Sequence, residues 1–267
     1  MRNISSRQNP LVRSFRELAR DPDPTGERLL LDGVHLVRDA RAAGAVFEVA
    51  VVAASRLGAD TEEGELAAAL AGDEVDVVSA DDRVFAALSP VRSPSGIAAI
   101  VRRQVSAPAI ICGRPHAFVL AAVDVQDPGN VGSLLRAAEA GGVTGAFVCG
   151  TSASPFSWKA LRGSMGSALR LPVVAGMTPE AVLDCMALEG LRLIAAVPRG
   201  GEPPDEIDWR GNVGLLLGGE GPGFDEHILA RCETRVTIPM ASAVESLNVA
   251  SAGAILVYAA RRQRVAA

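Results

Sequence analysis

The sequence predicts an α/β protein, a small alternating unit followed by a larger one on a mostly parallel sheet. Three observations carry this. Wholly apolar runs such as AFVLAAV (117–123) and NVGLLLGG (212–219) alternate with segments of helical periodicity, the pattern of strands covered on both faces. Apolar residues make up 49% of the chain, enough to build a core rather than a disordered segment. Three loops rich in glycine, proline or serine, at 124–130, 218–224 and 239–247, follow strands, where open α/β sheets place their ligands.

In order, Leu11, Phe15 and Leu18 space a helix across NPLVRSFRELAR, ended by the breaker-rich DPDPTGE. A strand at RLLLDG, a helix at VHLVRDARAAG and a strand at VFEVAVVAA follow. A helix at EEGELAAALAG, a strand at EVDVVS, a short helix after Asp81 and a strand at GIAAIVRR complete residues 1–104, and 105–116 reads as a linker. From 117 to 267 the strands are AFVLAAV, VTGAFVCG, LRLIAAV, NVGLLLGG and TRVTIP. The helices between and after them are NVGSLLRAAEAGG, PEAVLDCMALEG, DEHILARC and NVASAGAILVYAARRQR.

Composition excludes several classes. No apolar run approaches the ~18–20 residues of a membrane span, and the first residues have no signal-peptide core, so the chain is expected in the cytoplasm. Cys112, Cys149, Cys185 and Cys232 form no CxxC pair and His35, His116 and His227 are scattered, so no metal site is expected. With aromatics at 4%, a base-stacking platform is disfavoured. Net charge is −5, yet residues 1–20 hold five arginines, Arg7 and Arg13 among them, against Glu17 alone. A basic arm on an acidic body suits local phosphate contact, and a solvated tail is the alternative.

The chemistry is expected in the three loops. In DVQDPGNVGSLLRAAEAGG (124–142), Asn130 is a candidate N-cap. Val131, Leu134, Leu135 and Ala138 share the core face. Arg136 lies off that face, beside Gly132, so the helix start and Arg136 could clamp an anion; an ordinary capped helix with a solvated arginine is the alternative. LLLGGEGPGF (215–224) surrounds Glu220 with glycines that permit close backbone approach, but fits neither GxGxxG nor the GxxxxGK[ST] phosphate loop. In the third loop, Ser246 is a candidate cap for a last helix that is apolar nearly all round, a helix expected to bury itself against another chain.

In this order, QDPGNVGSLLRAAEAGGV, LLLGGEGPGF and IPMASAVESLNVASAGAILVYAARRQR resemble the three motifs of the SpoU/TrmH group of SPOUT RNA ribose 2′-O-methyltransferases. The likeness covers 117–264. ISSRQNPLVRSFREL and RLLLDGVHLVRDARAAG are similar, more softly, to the L30e-like substrate-binding domain that often precedes it. The resemblance implies a small L30e-like α/β domain at 1–104, then a SPOUT α/β domain at 117–267 with a C-terminal trefoil knot, acting as a homodimer. It implies bent S-adenosyl-L-methionine held by Gly218, Gly219, Ile238, Met240 and Leu247. It assigns the acceptor side to Asn130, Arg136, Glu220, Ser246 and Asn248, with RNA contacts by Arg7, Arg13 and Arg136. Arg136 is expected to orient the target rather than take its proton, because a guanidinium is a poor acceptor. Ser242 departs from the glycine frequent in the family; members that methylate ribosomal RNA to give thiostrepton resistance carry a comparable serine.

The activity expected is methylation of a ribose 2′-OH in structured RNA, with 23S ribosomal RNA favoured over transfer RNA. The alternatives are an inactive RNA-binding or ribosome-assembly protein of the same fold and a dinucleotide-dependent oxidoreductase. The latter predicts a GxGxxG after an early strand, absent here.

Overall fold

The computed structural model describes residues 1–219, 221, 223–241 and 244–265. Two sheets organise the chain. The first contains β1 (Arg2–Ile4), β2 (Arg28–Asp32), β3 (Val46–Ala53), β4 (Val77–Ala80) and β5 (Ile97–Arg102), interleaved with α1 (Pro10–Arg20), α2 (Val34–Ala42), α3 (Glu62–Gly72) and α4 (Asp82–Leu88). Its order is β1-β4-β3-β5-β2. β1, β4 and β3 run parallel, and β5 is antiparallel to both β3 and β2.

After α5 (Pro108–Cys112) come β6 (Phe118–Val123), α6 (Pro128–Gly141), β7 (Gly145–Cys149), α7 (Trp158–Ser164), α8 (Ser167–Arg170), β8 (Val173–Ala175) and α9 (Pro179–Leu188). Then follow β9 (Arg192–Ala196), β10 (Val213–Gly218), α10 (Glu226–Leu229), β11 (Thr234–Val236) and α11 (Val249–Val265). The second sheet has the order β11-β9-β10-β6-β7-β8, and every pairing in it is parallel. β6 and β10 are buried along nearly their whole length, as strands covered by helices on both faces must be.

Three local expectations are corrected. The chain start is not a free basic arm: β1 pairs with β4, Ile4 is buried, and Arg2 meets Asp76 at 2.7 Å. Three residues are too few to show a strand period. The 105–116 segment is not a plain linker, because α5 buries Ile111 and Cys112 against the second sheet. Gly132 does not clear space beside Arg136. It faces α7, where an added Cβ would stand 2.4 Å from the Ala160 carbonyl oxygen. The glycine lets two helix backbones touch.

The sheets share one apolar cluster that runs from Leu29 and Val101 through Phe156 and Leu161 to Leu134 and Leu217. At the junction Phe156 is 3% exposed. The Arg103 guanidinium lies 4.0 Å from its ring centre and donates to the Gln104 carbonyl at 3.1 Å. Burial lowers the Arg103 pKa to about 10, so it stays charged at neutral pH and is held by the ring face. Trp158 of α7 packs against the apolar cluster of the first unit that includes Phe15, Leu30 and Phe85. Removing the ring at the junction should therefore cost about 3–5 kcal/mol. Phe156→Ala is expected to lower the urea unfolding midpoint, and Phe156→Leu to lower it less.

Candidate functional site

β6 and β10 are neighbours at the point where the order of the second sheet turns: β7 and β8 lie on one side, β9 and β11 on the other. Such a switch point opens a crevice beyond the carboxyl ends of the strands. Val123 pairs with Gly218, so the segments that begin at Asp124 and Gly219 leave the sheet side by side. The Gly219 N–H donates to the Val123 carbonyl at 2.8 Å, and a Cβ on Gly219 would stand 1.9 Å from the Asp124 carbonyl oxygen. Only glycine permits that approach. Asp124 is itself left-handed at φ 57°, and its Oδ1 accepts from the backbone N–H and hydroxyl of Thr151 at 2.7 and 2.9 Å. Those bonds hold a conformation that most residues avoid.

The start of α6 differs from expectation. Asp127, not Asn130, is the N-cap: its Oδ1 accepts from the Asn130 N–H at 2.8 Å, with Pro128 in the first turn. The helix start is thus closed by a carboxylate rather than left open to an anion. Asn130 is freed from capping to bind across the crevice, where its Oδ1 accepts from Asn248 Nδ2 at 3.0 Å. Asn248 in turn caps α11, its Oδ1 accepting from the N–H groups of Ala250 and Ser251 at 3.0 and 3.2 Å. Ser246, expected as that cap, is exposed in the loop before it. One amide pair therefore ties the first loop to the third.

A cavity of about 570 Å³ opens between the second and third loops and the end of β9. Gly218, Gly219, Ile238, Met240 and Leu247 all line it, together with Ser246. Its floor includes Leu217, Val249 and Leu256. Leu247 is 37% exposed, an apolar wall that a ligand would cover. Among the described residues the lining carries two cations, Arg199 and Arg235, and no carboxylate; Arg235 is paired with Glu226 at 3.3 Å. Across the 218–224 loop lies a second cleft of about 370 Å³, which holds Asn130 with Asp124, Asp127, Glu180 and Asp225.

Arg136 lines neither cavity. It is exposed, six residues and about 9 Å of helix rise beyond Asn130, with no hydrogen bond or ion pair to a described residue. Arg7 and Arg13 are exposed on the first unit. Glu220 and Ser242 lie outside the described residues. Sequence reasoning missed Asp127, the stretch Val197–Arg199 and Phe224, whose ring lies 3.4 Å from where a Gly218 Cβ would be. The signal for Val197–Arg199 was available, since AAVPRGG is also a proline- and glycine-bearing loop after a strand.

Thiol chemistry does not fit the site. Burial pushes Cys149 up to about 12 and Cys232 up to about 11, which leaves them protonated and unreactive at neutral pH. The fold brings Cys112 and Cys185, distant in sequence, to 3.7 Å between sulfurs on α5 and α9, and neither lines the cavity or the cleft. Among the described residues, no three His, Cys, Asp or Glu side chains come together as metal ligands would, and no helix is long and apolar enough to cross a membrane.

The likeness to known proteins spans both sheets. Over 270 residues the chain is 35% identical to an uncharacterized tRNA/rRNA methyltransferase of Synechocystis, covering 99% of this chain and 95% of that protein. It is 32% identical over 266 residues to the 23S rRNA (guanosine(2553)-2′-O)-methyltransferase RlmP of Bacillus subtilis, with 97% and 98% covered. The crystal structure of an AdoMet-bound rRNA methyltransferase from Sinorhizobium meliloti superposes with a TM-score of 0.85 at 25% identity, covering 98% of this chain and 97% of that one. Residues 117–258, which contain the switch-point crevice and all three of its loops, match the SpoU rRNA Methylase family, and the chain belongs to that family.

Proposed function

We propose that this protein transfers a methyl group from S-adenosyl-L-methionine to a ribose 2′-OH of 23S ribosomal RNA. The observation that carries the reading is the shared cavity. Gly218, Gly219, Ile238, Met240 and Leu247 come from separate segments and line one space. The RNA and the position of the methyl follow the name of the Bacillus relative, and the donor follows the AdoMet-bound neighbour.

The residues fit such a donor. Apolar side chains of Ile238, Met240 and Leu247 suit a purine face, and the glycine backbone of 218–219 offers polar groups at close range. When bound, S-adenosylmethionine supplies a methyl already activated on a sulfonium. What the chain contributes is alignment, an effect worth up to ~7–11 kcal/mol in well-oriented systems. Arg136 is assigned to the target phosphate and ribose, where its planar fork makes paired bonds. The 2′-OH proton leaves to a phosphate oxygen of the RNA or to water, because the guanidinium does not accept it. Asn130 and Asn248 hold the crevice walls together, and Ser246 and Glu220 complete the acceptor side.

Residues 1–104 are read as the L30e-like RNA-binding domain, with Arg7 and Arg13 on the RNA, and 105–116 as the connection to the catalytic domain. A knotted C-terminus is supported by the end of α11. Gln263 accepts from the Trp209 N–H at 3.0 Å and donates to the Ile207 carbonyl at 2.8 Å. Arg264 donates to the carbonyls of Trp209 and Gly211 at 2.6 and 2.8 Å. The connection before β10 thus grips the last helical turn. A homodimer is supported by Ile255 and Tyr258, 45% and 49% exposed on α11, whose opposite face packs on α6 through Val257 and Gly253.

Calorimetry should give binding with S-adenosylmethionine and none with NAD, and labelled methyl should pass to a 23S ribosomal RNA transcript. Donor binding without transfer to that RNA would revive the inactive RNA-binding alternative. Arg136→Lys, which keeps charge but loses the fork, is expected to lower kcat/KM at least tenfold; near-normal turnover would remove the assigned role. Asn248→Ala should lose about 1 kcal/mol or more of stability from the cap alone and also slow transfer. Ile255→Asp should convert a dimer into monomers by light scattering.

A further inference from the structure

Arg136 has an acidic neighbour on its own helix. Glu139 is three residues on, about 60° around the axis, a spacing at which arginine and glutamate side chains meet and pair. They do not pair here, because Glu139 is taken. Arg170, on α8, grips it with two parallel bonds, Nε to Oε1 at 2.8 Å and Nη2 to Oε2 at 2.9 Å. The same guanidinium reaches Asp39 of α2 at 3.2 Å through Nη1 and donates to the Met165 carbonyl at 3.2 Å through Nη2. Arg170 is thereby fixed from three sides, by α2, α6 and the turn after α7. Burial raises the Glu139 pKa, but the bonds from Arg170 and Ser167 outweigh it and hold the carboxyl below its usual range, so it is an anion at neutral pH.

We infer that Arg170 is a positioning residue for methyl transfer: by occupying and neutralising Glu139 it keeps the Arg136 guanidinium free for the RNA. This rests on the reading of Arg136 as the RNA-binding arginine. Without Arg170, Glu139 has one cation within reach on its own helix, and that cation is Arg136. An i,i+3 pair would hold Arg136 against the helix in competition with the phosphate. The uncompensated carboxylate would also repel the phosphate across a few ångströms, an effect that salt screens.

The test is a pair of substitutions made singly and together, read as affinity for a 23S ribosomal RNA transcript and as kcat and KM for methyl transfer. Arg170→Met is expected to weaken RNA binding and raise the RNA KM roughly three- to tenfold at low salt, with S-adenosylmethionine affinity unchanged. The loss should shrink as salt is raised. Glu139→Gln alone should bind RNA as well as the native chain, and Arg170→Met with Glu139→Gln should recover that affinity. If Arg170 acts only as a structural brace, Glu139→Gln breaks the same brace and is as harmful as Arg170→Met, the double variant shows no recovery, and the inference is overturned. Should Arg170→Met fail to fold, Arg170→Lys replaces the paired bonds with one and carries the same test, with recovery by Glu139→Gln again required. Arg136→Gln, run in parallel, separates the two readings. If it keeps full RNA affinity, the assignment of Arg136 falls and this inference with it. If it loses affinity while Arg170→Met does not, this inference alone fails.

Discussion

The constraint on which the site depends is the contact between the Asp124 carbonyl and the backbone of Gly219. Two parallel strands in register deliver their loops to the same place, and the loops can lie against each other only because one carries no side chain. Their separation fixes where the crevice begins, which residues face the cavity and which face the acidic cleft behind it. The left-handed Asp124, tethered to Thr151, turns the first loop away from the sheet at the level where the second must pass. A larger residue at 219 would separate the loops and open the cavity to the cleft.

The amide bond between Asn130 and Asn248 completes the frame. It joins segments 118 residues apart, and each partner has a second duty near a helix start. Asn248 caps α11, while the N–H of Asn130 is taken up by Asp127. The polar residues of the first and third motifs therefore do structural work even where their side chains face a crevice. Electrostatics divides the two sides of the 218–224 loop. Among the described residues the cavity presents cations and apolar surface, and the cleft behind it presents carboxylates. A cleft lined by four carboxylates disfavours an anion.

Most of the elements were legible in the sequence because a buried parallel strand is an unbroken apolar run and its helices keep a clear period. The strands Phe118–Val123 and Val213–Gly218 and the helix Pro128–Gly141 fall close to where the pattern put them. What escaped was decided by contacts between distant residues. The role of Gly132 depends on α7, and a one-dimensional pattern cannot distinguish a glycine that frees an arginine from one that admits another helix. Asp127 and Asn130 are both good capping residues. The choice fell to Asp127 because Pro128 suits the first helical position, a signal present in the sequence but outranked by the motif. The strand at the chain start was too short to show a period, and α5 was hidden among turn residues. The meeting of Ile238, Met240 and Leu247 with Gly218 came from family likeness alone, since no local rule brings a chain end back across its own sheet.

One wall of the cavity between the second and third loops is largely main chain, with glycines at 218, 219, 221 and 223, while other walls are side chains such as Ile238, Met240 and Leu247. The glycine wall alone is insulated from substitutions around it, because replacing a side chain that points elsewhere leaves its carbonyls and amides in place. An inhibitor that leaned on the main chain at Gly219 would leave resistance few routes there, since a side chain at that position collides with the Asp124 carbonyl; one that leaned on Met240 or Leu247 would have no such protection.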